Sequence, residues 1–229
     1  MNTLAWIGAV AVVVGPLLAH FAVVPSLAGF GIFALGGLAS LIAAIGGIVR
    51  AVRGRGLGAG GAVALVVGIV FVALASRGAG VPRINDFTTD MADPPAFKNA
   101  ATLAANVGRD MAYPPAFADM QKTCCADLRP ARVAAPPDQA FLRARSAAEH
   151  MPSWTITAAD PAAGTIEAID TTAMFRFQDD IVIRVRPQPD GSSRVDIRSK
   201  SRDGKGDMGT NAKRIRLYVA ALEAAPAGS

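Results

Sequence analysis

Hydrophobic patterning along the chain falls into two regimes, and the change comes near Arg77. Before it, apolar residues run on without periodic relief. Leu4 to Val24 is a charge-free run of 21 residues, matching the roughly 20 that a helix needs to cross about 30 Å of hydrocarbon. Leu27 to Val49 is long enough for a second crossing, and Ala59 to Ser76 makes a third near the short limit. Three transmembrane helices at about 4–24, 27–49 and 59–76 are therefore predicted within residues 1–77. A cleaved signal peptide fits the first run less well, because no charged side chain precedes Trp6 and no evident cleavage site precedes more membrane sequence. Small residues crowd the second run at Gly36-Gly37, Ala39, Ala43 and Gly46-Gly47, and spacing of four lets helix backbones approach closely in lipid.

After Arg77 the pattern becomes that of a water-soluble domain. Residues 78–136 are Pro-rich, and Asp93-Pro94-Pro95 and Tyr113-Pro114-Pro115 break any long element. A seven-residue phrase recurs there, Met91-Ala92-Asp93-Pro94-Pro95-Ala96-Phe97 and Met111-Ala112-Tyr113-Pro114-Pro115-Ala116-Phe117. Two copies do not make a solenoid, so each Phe is expected to plug an extended segment onto the folded core. Residues 137–229 carry the core itself. Pro136-Pro137-Asp138 opens a helix with Phe141, Ala144, Ala148 and Met151 on one face.

Four strands are then predicted, at 154–158, 165–171, 180–186 and 194–201, with a Phe-rich connection after the second and Pro189-Asp190-Gly191 after the third. In the last two, Ile181, Ile183 and Val185 share a face, as do Val195 and Ile197; Arg184, Arg186, Asp196, Arg198 and Lys200 lie opposite. Paired residues must share a face, which leaves two hairpin registers. One sets Arg184 against Asp196 and the other sets Asp180 against Arg198. On an exposed face either pair is worth only about 0–1 kcal/mol. A final helix begins near Asp207, whose carboxylate is placed to cap it, with Met208, Ala212, Ile215, Val219 and Leu222 as its apolar stripe. The predicted fold is an α-helical transmembrane region of three spans followed by an α+β domain, a four-stranded antiparallel sheet with two helices on one face.

Charge sharpens this division. Residues 1–77 hold no Asp or Glu and four Arg, whereas residues 78–229 hold 19 Lys+Arg against 18 Asp+Glu. The basic balance thus belongs to membrane flanks, and the nearly neutral soluble part argues against nucleic-acid binding. Arg50, Arg53 and Arg55 form the densest cationic loop near a membrane end, which places that loop in the cytoplasm. Three spans then put the N-terminus inside and the C-terminal domain outside, in the periplasm of a bacterium whose inner membrane holds the spans.

Candidate chemistry is sparse. Cys124-Cys125 are adjacent, a spacing poorly matched to an unstrained disulfide, so free thiols are expected. His150 is the soluble part's sole histidine, which leaves metal binding and Ser/His/Asp or Cys/His hydrolysis little to stand on. No cofactor is implied. Asp179-Asp180 resembles an acid/base pair, but strand neighbours point to opposite faces and the two carboxylates should diverge.

The richest segment is Asp196-Ile197-Arg198-Ser199-Lys200-Ser201-Arg202-Asp203-Gly204-Lys205-Gly206-Asp207-Met208-Gly209-Thr210-Asn211-Ala212-Lys213-Arg214-Ile215, preceded by Asp179-Asp180-Ile181-Val182-Ile183-Arg184 and, after the spans, Ile84-Asn85-Asp86. These residues resemble DUF1499, a bacterial and plastid domain family of unknown function, over roughly residues 82–223. The resemblance implies membrane association and no established activity. Physically, Arg184, Arg198, Ser199, Ser201, Arg202, Asp207, Asn211 and Arg214 combine a strand end, a Gly-rich loop and a helix N-terminus, where amides and cations can converge on an anion. The competing reading is that these residues brace the turn among themselves, and the charge of Asp207 favours it. The expectation is a noncatalytic membrane-anchored domain that binds a partner protein or an anionic ligand through the Arg198-to-Arg214 face, with an envelope enzyme as the alternative.

Overall fold

A computed structural model describes residues 2–224. The chain divides into two compact units, Met1–Ala79 with Thr172–Phe177, and Gly80–Thr171 with Gln178–Ser229.

The first unit contains α1 (Asn2–His20), α2 (Ser26–Val52) and α3 (Gly58–Ala75), each long and apolar enough to cross a bilayer. Their outer faces carry Ile7, Val10, Ile42, Ile45, Val66 and Ile69 exposed, an apolar surface compatible with lipid. Their inner faces are small. Gly8 and Gly15 of α1 meet α2 at Gly36 and Gly29, and Gly47 of α2 meets Gly61 of α3. A Cβ at Gly36 would stand 2.7 Å from Ala11 Cβ and 2.8 Å from Gly8 O, so only glycine admits this backbone approach.

The second unit is built on a six-stranded antiparallel sheet, not the four strands expected. The four predicted strands appear as β3 (Trp154–Asp160), β4 (Thr165–Thr171), β5 (Gln178–Pro187) and β6 (Ser193–Ser201), joined as a meander. The two extra strands are β1 (Asp86–Thr88) and β2 (Ala131–Val133), both paired with the outer edge of β6. Three-residue strands hold too few positions to show alternation, and Pro-rich surroundings hid them. Between them lie a short helix α4 (Asn99–Thr102) and the ten-residue α5 (Pro115–Cys124). Hairpin β5–β6 takes the register that sets Arg184 against Asp196, with Asp180 opposite Lys200.

Helices α6 (Pro137–Glu149) and α7 (Thr210–Ala224) cover one sheet face, as expected. The core there joins Phe87, Ile166, Ile181, Ile183 and Ile197 to Phe141, Ile215, Tyr218 and Leu222. Tyr218 was absent from the expected stripe; it stacks on Trp154 at 5.4 Å and donates to Ala144 O at 3.0 Å, which satisfies its hydroxyl. Met208, placed on the stripe by spacing, lies instead in the left-handed turn before α7 and is 53% exposed. The opposite sheet face, expected to meet water, is covered by the chain between β1 and α5. Phe97 and Ala100 seal Val182, and Glu167 accepts from the amides of Lys98, Asn99 and Ala100 at 2.7–2.8 Å. Burial under that cover changes the worth of every charge on the face.

The expectation of free thiols is also corrected. Cys124 and Cys125 form a vicinal disulfide at the end of α5. Cys125 leaves helical geometry there, at φ −144° and ψ 42°, which frees its side chain to turn back on its neighbour.

Candidate functional site

Alternation along β6 sends the motif to both faces of the sheet rather than to one. Arg198 and Lys200 project beneath the Pro-rich cover, while Ser199 and Ser201 project toward α7. The eight candidate residues therefore separate into several bonded groups.

On the covered face, Arg198 donates from Nε to Asp86 Oδ1 at 2.9 Å and from Nη2 to Asp86 Oδ2 at 2.7 Å. It also donates to Pro95 O at 3.1 Å and to Met111 O at 2.8 Å, and its guanidinium lies 4.8 Å from the ring centre of Phe97 and 5.6 Å from that of Tyr113. Pro95 and Phe97 belong to the first copy of the repeated phrase, Met111 and Tyr113 to the second. The two copies thus grip one arginine from two sides. Burial pushes the Tyr113 hydroxyl well above its usual range, and the nearby Asp86 charge adds to the effect. A cleft of about 350 Å³ opens between the copies, walled by Phe97, Met111, Tyr113 and Arg198. Phe117, the last residue of the second copy, packs on the main core from α5 instead.

Arg184 stands apart from that group. It shares Asp196, Asp90 and Asp93 with Arg186, and Arg194 joins at Asp90 and Asp196, all at 2.6–3.5 Å. Three cations and three carboxylates balance. Burial alone would raise the Asp90 carboxyl, but the Asp93 amide and the Arg194 and Arg186 guanidinium groups outweigh it and hold the group below its ordinary value.

Arg202 donates through Nε and Nη2 to Asp180 at 2.7–3.1 Å and through Nη1 to Gln178 Oε1 at 2.6 Å. Asp180 also receives Asn106 Nδ2 at 2.9 Å, and Arg109 joins by donating to Ser201 O at 2.8 Å. Across the sheet, Arg214 of α7 reaches Asp179 Oδ2 at 2.6 Å, Asp170 Oδ2 at 2.5 Å and Ser199 Oγ at 3.0 Å. Asp179 and Asp180 do diverge, each to its own arginine on its own face. Asn211 ties the helix to the strand, accepting from Ser199 Oγ at 2.5 Å and donating to Ser201 Oγ at 2.8 Å.

Asp207 accepts from the amides of Gly209 at 2.9 Å and Asn211 at 2.7 Å, so the start of α7 already holds a carboxylate. Burial raises the Asp207 carboxyl above its ordinary value; those amides oppose the rise and the Asp179 charge reinforces it. Among the described residues, no three His, Cys, Asp or Glu side chains converge as a metal-binding group.

Sequence reasoning chose the cations and missed most of their partners. Asp86, Asp90, Asp93, Asp170, Gln178 and Asn106 come from distant segments, and their roles depend on pairings that no local spacing encodes. Gln121 was missed as well. Fully buried on α5, it accepts from Thr88 N at 3.0 Å and donates to Thr88 O at 2.6 Å, imitating a paired strand along β1.

An antiparallel sheet with two helices on one face and a charge-stitched cover on the other defines an α+β domain, carried on a chain with three apolar helices. The family model described as "Protein of unknown function (DUF1499)" matches residues 86–222, and the chain belongs to that family. No curated protein and no solved structure matches the chain.

Proposed function

We propose that this chain is a membrane-anchored, noncatalytic member of the DUF1499 family whose C-terminal domain works outside the cytoplasm by engaging a partner protein. One observation carries the noncatalytic reading. Arg184, Arg198, Arg202 and Arg214 each face a carboxylate of the same chain, at 2.6–3.1 Å. A side chain held this way serves the fold first, because releasing it to bind an external anion would leave Asp179 without its arginine and would take from Asp86, Asp180 and Asp196 one of the partners that hold them. The start of α7 is likewise taken by Asp207, so an anionic ligand would meet a like charge there. The motif accordingly reads as an internal clasp, and the partner surface lies elsewhere on the domain.

Location rests on Arg50 in the last turn of α2 and Arg53 and Arg55 in the connection to α3, which favour a cytoplasmic loop in a bacterial plasma membrane. Reporter fusions after Arg55 and after Ser229 test it, with a cytoplasmic signal expected from the first and an extracytoplasmic one from the second. Crosslinking in intact cells tests the partner reading. A discrete protein adduct that survives Arg202→Ala in folded protein supports it; a small anionic ligand co-purifying with the wild type and lost in that variant favours ligand binding instead.

A further inference from the structure

Two of the sheet's hairpin turns are built from polar or small residues, at 161–164 and 188–192. The third turn, Thr172–Phe177 between β4 and β5, carries Met174, Phe175 and Phe177 and packs as part of the helical unit. Phe175 lies 5.4 Å from Phe30 and 5.5 Å from Phe33 of α2, and Phe177 lies 6.1 Å from Phe30. Phe33 in turn meets Phe71 of α3 at 5.5 Å. His20 at the end of α1 bonds Ala173 O through Nδ1 at 2.8 Å. Helices α1 and α2 therefore hold this turn directly, and α3 backs Phe33. Two bonds of 2.9 Å, Thr172 N to Phe177 O and Arg176 N to Thr172 O, close it with Arg176 at φ +56°, a left-handed conformation that a non-Gly side chain adopts only when its surroundings fix it.

What the turn leaves uncovered is apolar and cationic. Met174 is 48% exposed, and beside the same helix ends Phe21 and Val23 of the α1–α2 loop are 70% and 67% exposed. An exposed apolar patch continuous with lipid-facing helices is suited to the boundary between headgroups and acyl chains. Arg176 is exposed, has no carboxylate partner among the described residues, and belongs to a unit whose sequence contains no Asp or Glu. Its charge suits an anionic phospholipid headgroup.

We propose that Thr172–Phe177 is a lipid-binding turn, with Phe175 and Phe177 seated on the helices, Met174 entering the headgroup–acyl boundary and Arg176 held at the phosphates. The β4–β5 connection then anchors the chain to phospholipid at a point about a hundred residues beyond the last span. This inference rests on the membrane reading above, and the test separates the two.

Full-length protein is reconstituted in vesicles of phosphatidylcholine and phosphatidylglycerol, with and without brominated acyl chains. One variant, Trp154→Phe, leaves Trp6 as the sole reporter of α1; a second, Trp6→Phe with Trp154→Phe and Met174→Trp, leaves a reporter in the turn. Interfacial side chains sit roughly 5–10 Å into the boundary, so brominated lipid should quench both reporters about twofold. Quenching of Trp6 alone, with the turn reporter open to aqueous iodide, overturns the inference and leaves the spans standing. Quenching of neither overturns both. Because Trp154 packs on Tyr218, the same question is asked without touching it, by placing a photoreactive benzoylphenylalanine at Met174 or at Ala163 in the β3–β4 turn. Phospholipid adducts should form at position 174 and not at 163; equal labelling at both positions, or none at 174, contradicts the proposal.

Discussion

Asp86 on β1 stands opposite Lys200 and diagonal to Arg198 on β6, and it accepts from both cations at 2.7–2.9 Å while fully buried. One carboxylate thus neutralises two buried cations, and the two possible truncations are unequal. Asp86→Ala leaves Arg198 and Lys200 without a counter-charge, whereas Arg198→Ala leaves Asp86 still paired with Lys200. Removing one partner of a buried pair costs about 3–5 kcal/mol. Urea unfolding in detergent should place Asp86→Ala at or beyond the top of that range and Arg198→Ala near its bottom.

Gln121 offers β1 the pairing that a seventh strand would otherwise give. Gln121→Ala strands the amide and carbonyl of Thr88, at about 1–3 kcal/mol for each unsatisfied buried group. Hydrogen exchange should show the Thr88 amide opening faster, with the amides of β5 unchanged.

Asp207 gives a prediction in pH. Its folded-state carboxyl is raised above the ordinary Asp value of 3.8, chiefly by burial, so the folded state binds this proton more tightly than the unfolded state does. The stability it contributes is full below that ordinary value and is lost as pH rises through the folded value. Asp207→Asn keeps an acceptor for the amides of α7 and removes the ionisation, so stability should vary less with pH above about 4. Asp90 and Asp127 are shifted the other way, Asp127 by its bond to Arg216. Their contributions are present above the ordinary value and lost as pH falls through the folded one.

Helix packing depends on Gly36. Because the added methyl of Gly36→Ala would meet the backbone carbonyl of Gly8 at 2.8 Å, α1 and α2 must separate, at about 1–3 kcal/mol for an overpacked contact. Thermal unfolding in detergent should fall, while the Cys124–Cys125 disulfide, probed by alkylation with and without reductant, should be unaffected.

Much of the architecture was legible because its signals are local. Run length gave the three apolar helices, alternation in Ile181–Val185 and Val195–Ile197 gave the β5–β6 hairpin, and Pro137 and Asp207 marked two helix starts. What was hidden is nonlocal. Strands β1 and β2 exist because β6 offers an unpaired edge, and residues with little alternation of their own settle on it. The charged face of β6 reads as solvent-facing until the repeated Pro-rich phrase is seen to cover it, which turns weak surface pairs into buried ones around Arg198. The candidate residues are close together in the sequence, yet alternation divides Arg198 from Ser199, and only the sheet register shows which partners each meets.

Everything proposed about location and anchoring depends on α1, α2 and α3 residing in lipid. Flotation of the full-length protein with phospholipid vesicles through a density gradient, after alkaline carbonate washing, tests this directly. The account predicts that the protein rises with the vesicles and resists extraction. Protein that stays at the bottom of the gradient and is monodisperse in detergent-free buffer would contradict it.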